Sequence, residues 1–143
     1  GVRAHYVASV LAAPMMIAQK SGLIANISFF AAQRNDRGVA YGVAKAASDH
    51  MATCMAHELR DHNVTALSLY PGLVRTESVL KADFDLSNSE SPQFIGRAIA
   101  ALAADPQIIL KSGQILVAAT LAQEYGFTDI DGTQPRPITV DEA

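Results

Sequence analysis

Hydrophobic and polar positions fall into blocks along this chain, and the blocks come in two lengths. Val2 to Gln19 is apolar and Ala-rich, interrupted by Pro14, which predicts a mostly buried helix. Gly22-Leu23-Ile24-Ala25-Asn26-Ile27-Ser28 is a short, nearly unbroken apolar run after a Ser-Gly turn. Such a run predicts a strand of a parallel sheet covered on both faces. Gln33 to Gly38 is polar loop. From about Val39 to Asp61, Val43, Ala47, Met51, Cys54, Met55 and Leu59 recur at helical spacing, and Asn63 supplies a stop. Val64 to Tyr70 is the second strand, ended by Pro71-Gly72. Arg75 to Ser91 reads as polar loop, with Lys81 to Glu90 as a lid. Pro92 to Ala104 is a helix with Ser91 as N-cap and Pro92 in its first position, stopped by Asp105-Pro106. Gln114 to Ala118 is the third strand, and residues 126–143 form a polar tail. Strands joined by helical crossovers predict a parallel α/β fold with helices on both faces.

Composition narrows the function classes. With 143 residues, half of them hydrophobic and 17% charged, the chain builds one domain with a real core and is not disordered. A net charge of −3 offers no basic footprint for phosphate backbones or anionic lipid, so neither nucleic acid nor membrane is expected as a partner. No apolar run approaches the roughly 18 residues of a membrane helix. The single cysteine, Cys54, allows no internal disulfide and suits a reducing cytoplasm. Gly1-Val2-Arg3-Ala4-His5 does not read as a signal peptide, and with no initiator Met a processed or truncated chain is expected.

Three places could carry chemistry. Tyr41 and Lys45 lie four apart at the start of the long helix, on one face. An ammonium beside a phenol favours the phenolate, which suits a tyrosine to general acid–base work. The pair alone is weak evidence, since chance supplies about 0.1 such pairs here, and a packed tyrosine with a solvated lysine looks the same. Ser28 closes the first strand thirteen residues before Tyr41. Ligands of parallel sheets sit at that end of the strands. A hydroxyl there could donate to a substrate carbonyl or bond its own loop. Pro71-Gly72-Leu73-Val74-Arg75-Thr76 follows the second strand at the same edge. Gly72 would let a flat ligand approach the backbone, although a plain strand-ending turn has the same sequence. His50, His57 and His62 lack metal-ligand spacing and have no Cys or carboxylate cluster, so no metal site is expected.

Taken in order, Ser28, Tyr41-Gly42-Val43-Ala44-Lys45-Ala46-Ala47 and Tyr70-Pro71-Gly72-Leu73-Val74-Arg75-Thr76 resemble the short-chain dehydrogenase/reductase family. Ser112-Gly113-Gln114-Ile115-Leu116-Val117 and Tyr125-Gly126-Phe127-Thr128-Asp129-Ile130-Asp131-Gly132 fit as well, as does Ala56-His57-Glu58-Leu59-Arg60 for one subgroup. The resemblance covers essentially the whole chain. It implies the C-terminal portion of a Rossmann-type, doubly wound parallel sheet. It implies an oxidoreductase using NAD or NADP on a small carbonyl or alcohol. Tyr41 would exchange the proton, Lys45 would hold the nicotinamide ribose, and Ser28 would polarise the carbonyl. Pro71, Gly72, Val74 and Thr76 would line the nicotinamide pocket with Tyr41 and Lys45. The helices over 2–19 and 39–61 form a dimer interface in the family, which implies a homo-oligomer.

The departures matter equally. The family's Gly-rich phosphate-binding turn has no counterpart, because Gly38, Gly42 and Ala44 lie at the wrong element for it. The residue that selects NAD or NADP is not present either. Gly1 falls where the family often has a catalytic asparagine, and Phe29-Phe30 follow Ser28 where relatives often carry a second serine. The first strand would then expose an apolar edge, which calls for further chain or a partner to cover it. A non-catalytic remnant serving as an assembly module is the rival expectation.

Overall fold

The computed structural model describes all 143 residues. In chain order the elements are α1 (Val2–Gln19), β1 (Gly22–Ile27), α2 (Val39–Leu59), β2 (Val64–Tyr70), β3 (Leu73–Val74), β4 (Ser89–Glu90), α3 (Pro92–Ala104), β5 (Ile115–Val117) and α4 (Ala118–Tyr125). β2 is the central strand. It pairs in parallel with β1, from Gly22↔Val64 to Ile27↔Leu69, and with β5, from Ser68↔Ile115 to Tyr70↔Val117. All seven of its residues are buried, which is why its sequence is apolar without alternation.

The two-residue period of the strands sorts their side chains between two cores. Leu67 and Leu69 face Phe94, Ala98 and Leu102 of α3 and Ala118, Ala119, Leu121 and Ala122 of α4. Ile24, Val64 and Ala66 face Ala56 and Leu59 of α2, with Met16 and Ile17 of α1 packed alongside. The same alternation turns Asn26, Ser28 and Tyr70 toward α2, where Asn26 Nδ2 donates to the Ser48 carbonyl at 3.2 Å. A polar seam therefore runs between the sheet and α2, widening toward the C-terminal ends of the strands.

The expected α/β layering is present, with several differences in detail. β1 ends at Ile27, although the Ser28 amide still donates to Leu69 O at 3.0 Å and extends the ladder by one bond. α2 ends at Leu59 and passes through a tight turn, Arg60–His62, to Asn63, whose left-handed backbone (φ 55°) stops it as expected. β5 is shorter than the predicted strand because α4, an element the sequence reading leaves out, begins directly after Val117. The 75–91 loop ends in β4, which pairs in parallel with β3. Ser91 occupies the N-cap position of α3, yet its hydroxyl donates to Asp129 instead of capping.

α1 departs most from expectation. It is apolar on all sides, and only Ser9 within it is buried. Tyr6, Val10, Leu11 and Met15 are exposed, because β1 and α2 cover one side alone. β1 has no partner on its outer edge. No helix is long and apolar enough to cross a membrane.

Candidate active site

Helical spacing builds the site. Tyr41 stands in the first turn of α2 with 47% of its surface exposed. Lys45 follows one turn later, and its ammonium lies 5.5 Å from the centroid of the Tyr41 ring, a cation–π distance. Lys45 Nζ also donates to the carbonyl of Ile27, the last residue of β1, at 3.2 Å. Burial pulls the ammonium down from its ordinary pKa, while the Asp49 carboxylate acts in the opposite direction.

Ser28 lies against the Lys45 turn and faces inward. It is buried, and its hydroxyl donates to the Lys45 carbonyl at 3.1 Å. The structure joins Tyr41 to Lys45 and Lys45 to Ser28, with the Ser28 hydroxyl engaged on the helix backbone rather than on a side chain of the pair. Phe30 belongs to the core, its ring edge-on to Tyr70 with centroids 4.9 Å apart, while Phe29 is half-buried beside it.

Below this surface lies a buried pair that the sequence reading does not single out. Tyr70 ends β2 fully buried and donates its phenolic proton to Asp49 Oδ2. Gln33 Nε2 approaches the same phenol oxygen at 3.4 Å. Burial and the Asp49 carboxylate push the Tyr70 phenol well above its usual range, so it stays protonated. One signal for Asp49 exists in the sequence: it stands four residues after Lys45 and eight after Tyr41, on the same helix face.

The Pro71–Thr76 segment leaves β2 at the same end of the sheet. Pro71, Gly72 and Val74 are half-buried and Thr76 is exposed. The Thr76 amide donates to Val74 O at 2.7 Å, and the Arg75 amide to Glu90 O at 2.8 Å, so β4 fixes the segment from one side. Glycine at 72 has an internal reason as well: a Cβ there would stand 3.2 Å from Glu90 Oε2. The Glu90 carboxyl is buried with no hydrogen-bond partner on either oxygen. Burial raises its pKa to about 7; the nearby Gly72 amide opposes the rise, Asp129 adds to it, and Arg75 opposes it.

Arg75 holds this region together. Its Nη2 reaches Asp129 at 3.1 Å and Asp131 at 3.4 Å, and Asp129 also accepts from the amide and hydroxyl of Ser91. Burial works against the Asp129 charge, but the Ser91 hydrogen bonds and Arg75 bring its pKa below the ordinary carboxylate value. No group of three or more His, Cys, Asp or Glu side chains is placed to hold a metal ion.

An exposed phenol with an ammonium against its ring, at the C-terminal edge of a parallel sheet, is an arrangement for moving a proton. The short chain dehydrogenase family model matches residues 2–85. The chain belongs to the short-chain dehydrogenases. Among curated relatives of this short-chain dehydrogenase, it is 41% identical to dehydrogenase/reductase SDR family member 1 of Mus musculus, over 96% of this chain and 48% of that protein. The Homo sapiens protein of the same name is 39% identical over the same shares. The chain thus spans about half the length of the curated relatives it matches. A solved short chain dehydrogenase/reductase family protein superposes with a TM-score of 0.68 at 30% identity, covering 80% of this chain and 51% of that one. A 4-hydroxyisoleucine dehydrogenase complexed with NADH and succinate superposes with a TM-score of 0.64 at 27% identity, covering 78% and 51%.

Proposed function

We propose that this short-chain dehydrogenase carries the proton-transfer half of an NAD- or NADP-dependent oxidoreductase acting on a small carbonyl or alcohol. Tyr41 is the general acid and base. The observation that carries the reading is the placement of Tyr41: exposed at the sheet edge, with the Lys45 ammonium over its ring. The residues present fit the nicotinamide end of a dinucleotide. Lys45 has three donors and gives one to Ile27 O, which leaves two for ribose hydroxyls. Pro71, Gly72, Val74 and Thr76 form a half-open wall at the same edge. When bound, the cofactor supplies or receives the hydride.

In the reducing direction the Tyr41 phenol gives its proton to the substrate oxygen, and in the oxidising direction it takes one from the alcohol. Lys45 keeps positive charge beside the phenolate that results. Ser28 braces the Lys45 turn from beneath, and turning its hydroxyl outward would let it donate to the substrate oxygen. The relative complexed with NADH supports the cofactor class. The dimer-forming helices are α1 and α2, whose exposed Tyr6, Val10, Leu11, Met15, Val39 and Val43 suit a second copy. That same apolar surface favours the second reading, an assembly module without turnover.

Titrating the purified chain with NADPH and NADH by fluorescence separates the two. Saturable binding, followed by reduction of simple aldehydes or ketones, is expected. Tyr41→Phe should lower turnover by at least ~100-fold, the usual worth of a positioned acid or base. Unchanged activity in that variant refutes the mechanism, and no binding at millimolar cofactor leaves the assembly module as the reading of this chain.

A further inference from the structure

Three chemistry-bearing residues stand in line on α2: Tyr41, Lys45 and Asp49 are each one turn apart and share the face turned to the sheet. Asp49 is 9% exposed. Its Oδ2 accepts the Tyr70 hydroxyl proton, while its Oδ1 has no hydrogen-bond partner. A buried carboxylate held this way is costly unless a counter-charge stands near it.

The surroundings leave one candidate. From β1 come the Ile27 carbonyl, which accepts from Lys45, the Ser28 hydroxyl, which donates to the Lys45 carbonyl and also faces the Tyr70 phenol, and the Asn26 amide, which donates to the Ser48 carbonyl; none of them carries charge. From β2 comes the Tyr70 phenol, and from the loop before α2 the Gln33 amide. From α1 comes His5, whose Nδ1 lies 3.2 Å from the Ser48 hydroxyl. Burial, the terminal amine and Lys45 all lower the His5 pKa, so the imidazole is largely uncharged at neutral pH. Lys45 is the cation that remains, and Asp49 is the group that opposes the loss of its proton on burial.

We propose that Asp49 is a positioning residue: anchored by the Tyr70 phenol, its carboxylate is the buried counter-charge that keeps the Lys45 ammonium at the end of β1 and against the Tyr41 ring. This rests on Tyr41 and Lys45 being the reacting pair, yet the pairing itself can be read without turnover. It also accounts for Tyr70, a polar side chain closing a fully buried strand, whose ring Phe30 holds from the edge.

The test is an NMR titration of the lysine side chains in the isotopically labelled 143-residue chain, with Lys45 assigned through Lys45→Arg. Asp49→Asn should lower the Lys45 midpoint by about one pH unit or more, the effect of losing a nearby opposite charge. Asp49→Glu should restore most of it, and Tyr70→Phe should give a smaller shift in the same direction. A folded Asp49→Asn chain with an unchanged Lys45 midpoint overturns the proposal. Should that variant not fold, the unmutated chain decides: the Lys45 signal must step as the Asp49 carboxyl titrates, and independent titrations overturn the pairing. A shifted lysine in chains that bind no NADPH supports the pairing and overturns the catalytic reading instead.

Discussion

Glu90 shows how one side chain can carry a pH dependence unrelated to Tyr41 and Lys45. Its carboxyl is buried with no hydrogen bond of good geometry, the Gly72 amide being its nearest donor, and has its pKa raised from 4.5 to about 7. The fold therefore prefers the neutral acid. The stability this contributes is complete below pH 4.5 and is lost as the pH rises through about 7. The full shift corresponds to on the order of 3 kcal/mol. Glu90→Gln keeps the shape and removes the charge, so its urea midpoint should stay flat between pH 4.5 and 7, where that of the parent chain falls. Equal slopes would show that Glu90 finds water or a donor in solution. Glu90 is not legible in the sequence as a special residue. It sits between two serines in a polar stretch, and the glycine it crowds lies eighteen positions earlier. Tyr41 and Lys45 are legible because a helix brings them together by spacing alone, and Asp49 could have been found on the same ground.

Among the elements, α3 depends on a residue far from it in sequence. Asp129 accepts from the amide and hydroxyl of Ser91 at the head of α3 and pairs with Arg75, which follows β3. One carboxylate thus ties the 126–143 segment, α3 and the Pro71–Thr76 segment together. Asp129→Ala leaves two Ser91 donors without their acceptor and Arg75 with Asp131 as its remaining carboxylate. It should cost about 3 kcal/mol, read as a drop in denaturation midpoint, and a loss near zero would mean that water replaces the carboxylate. The sequence shows a polar tail there because the partners of Asp129 lie 38 and 54 residues away. α4 escapes notice for another reason. It is eight residues long and follows β5 without a loop, so its apolar positions merge with those of the strand. The longer elements, β1, α2, β2 and α3, stand close to their predicted bounds, since each contains enough residues to show its own period.

The molecule as a whole has two unfinished surfaces, the outer edge of β1 and the apolar sides of α1 and α2. A cleft of about 280 Å³ between them is lined by Ala4, Ala8, Ala12, Leu23 and Ala25. Open strand edges and contiguous apolar patches promote association. Sedimentation of the chain should therefore show dimers or larger species, and Leu11→Glu with Val43→Glu should shift the distribution toward monomer. A parent chain that sediments as a monomer at every concentration would exclude self-association through these helices. Why α1 is apolar on every side is not legible from one chain's packing, since β1 and α2 account for one side of it.

The alternation along β1 and β2 has a genetic consequence. Asn26, Ser28 and Tyr70 meet α2 only because each falls on the same parity of its strand. Deleting or inserting a single codon within β1 would exchange the two sides of that strand, presenting Leu23 and Ala25 to α2 and driving Asn26 and Ser28 into the hydrocarbon beneath α3 and α4. Point substitutions along β1 remove one contact at a time, whereas a one-residue frame slip removes them together. A library of in-frame indels should accordingly show a sharp zone of intolerance over 22–28, with the 77–88 stretch, which holds no such parity, accepting length changes.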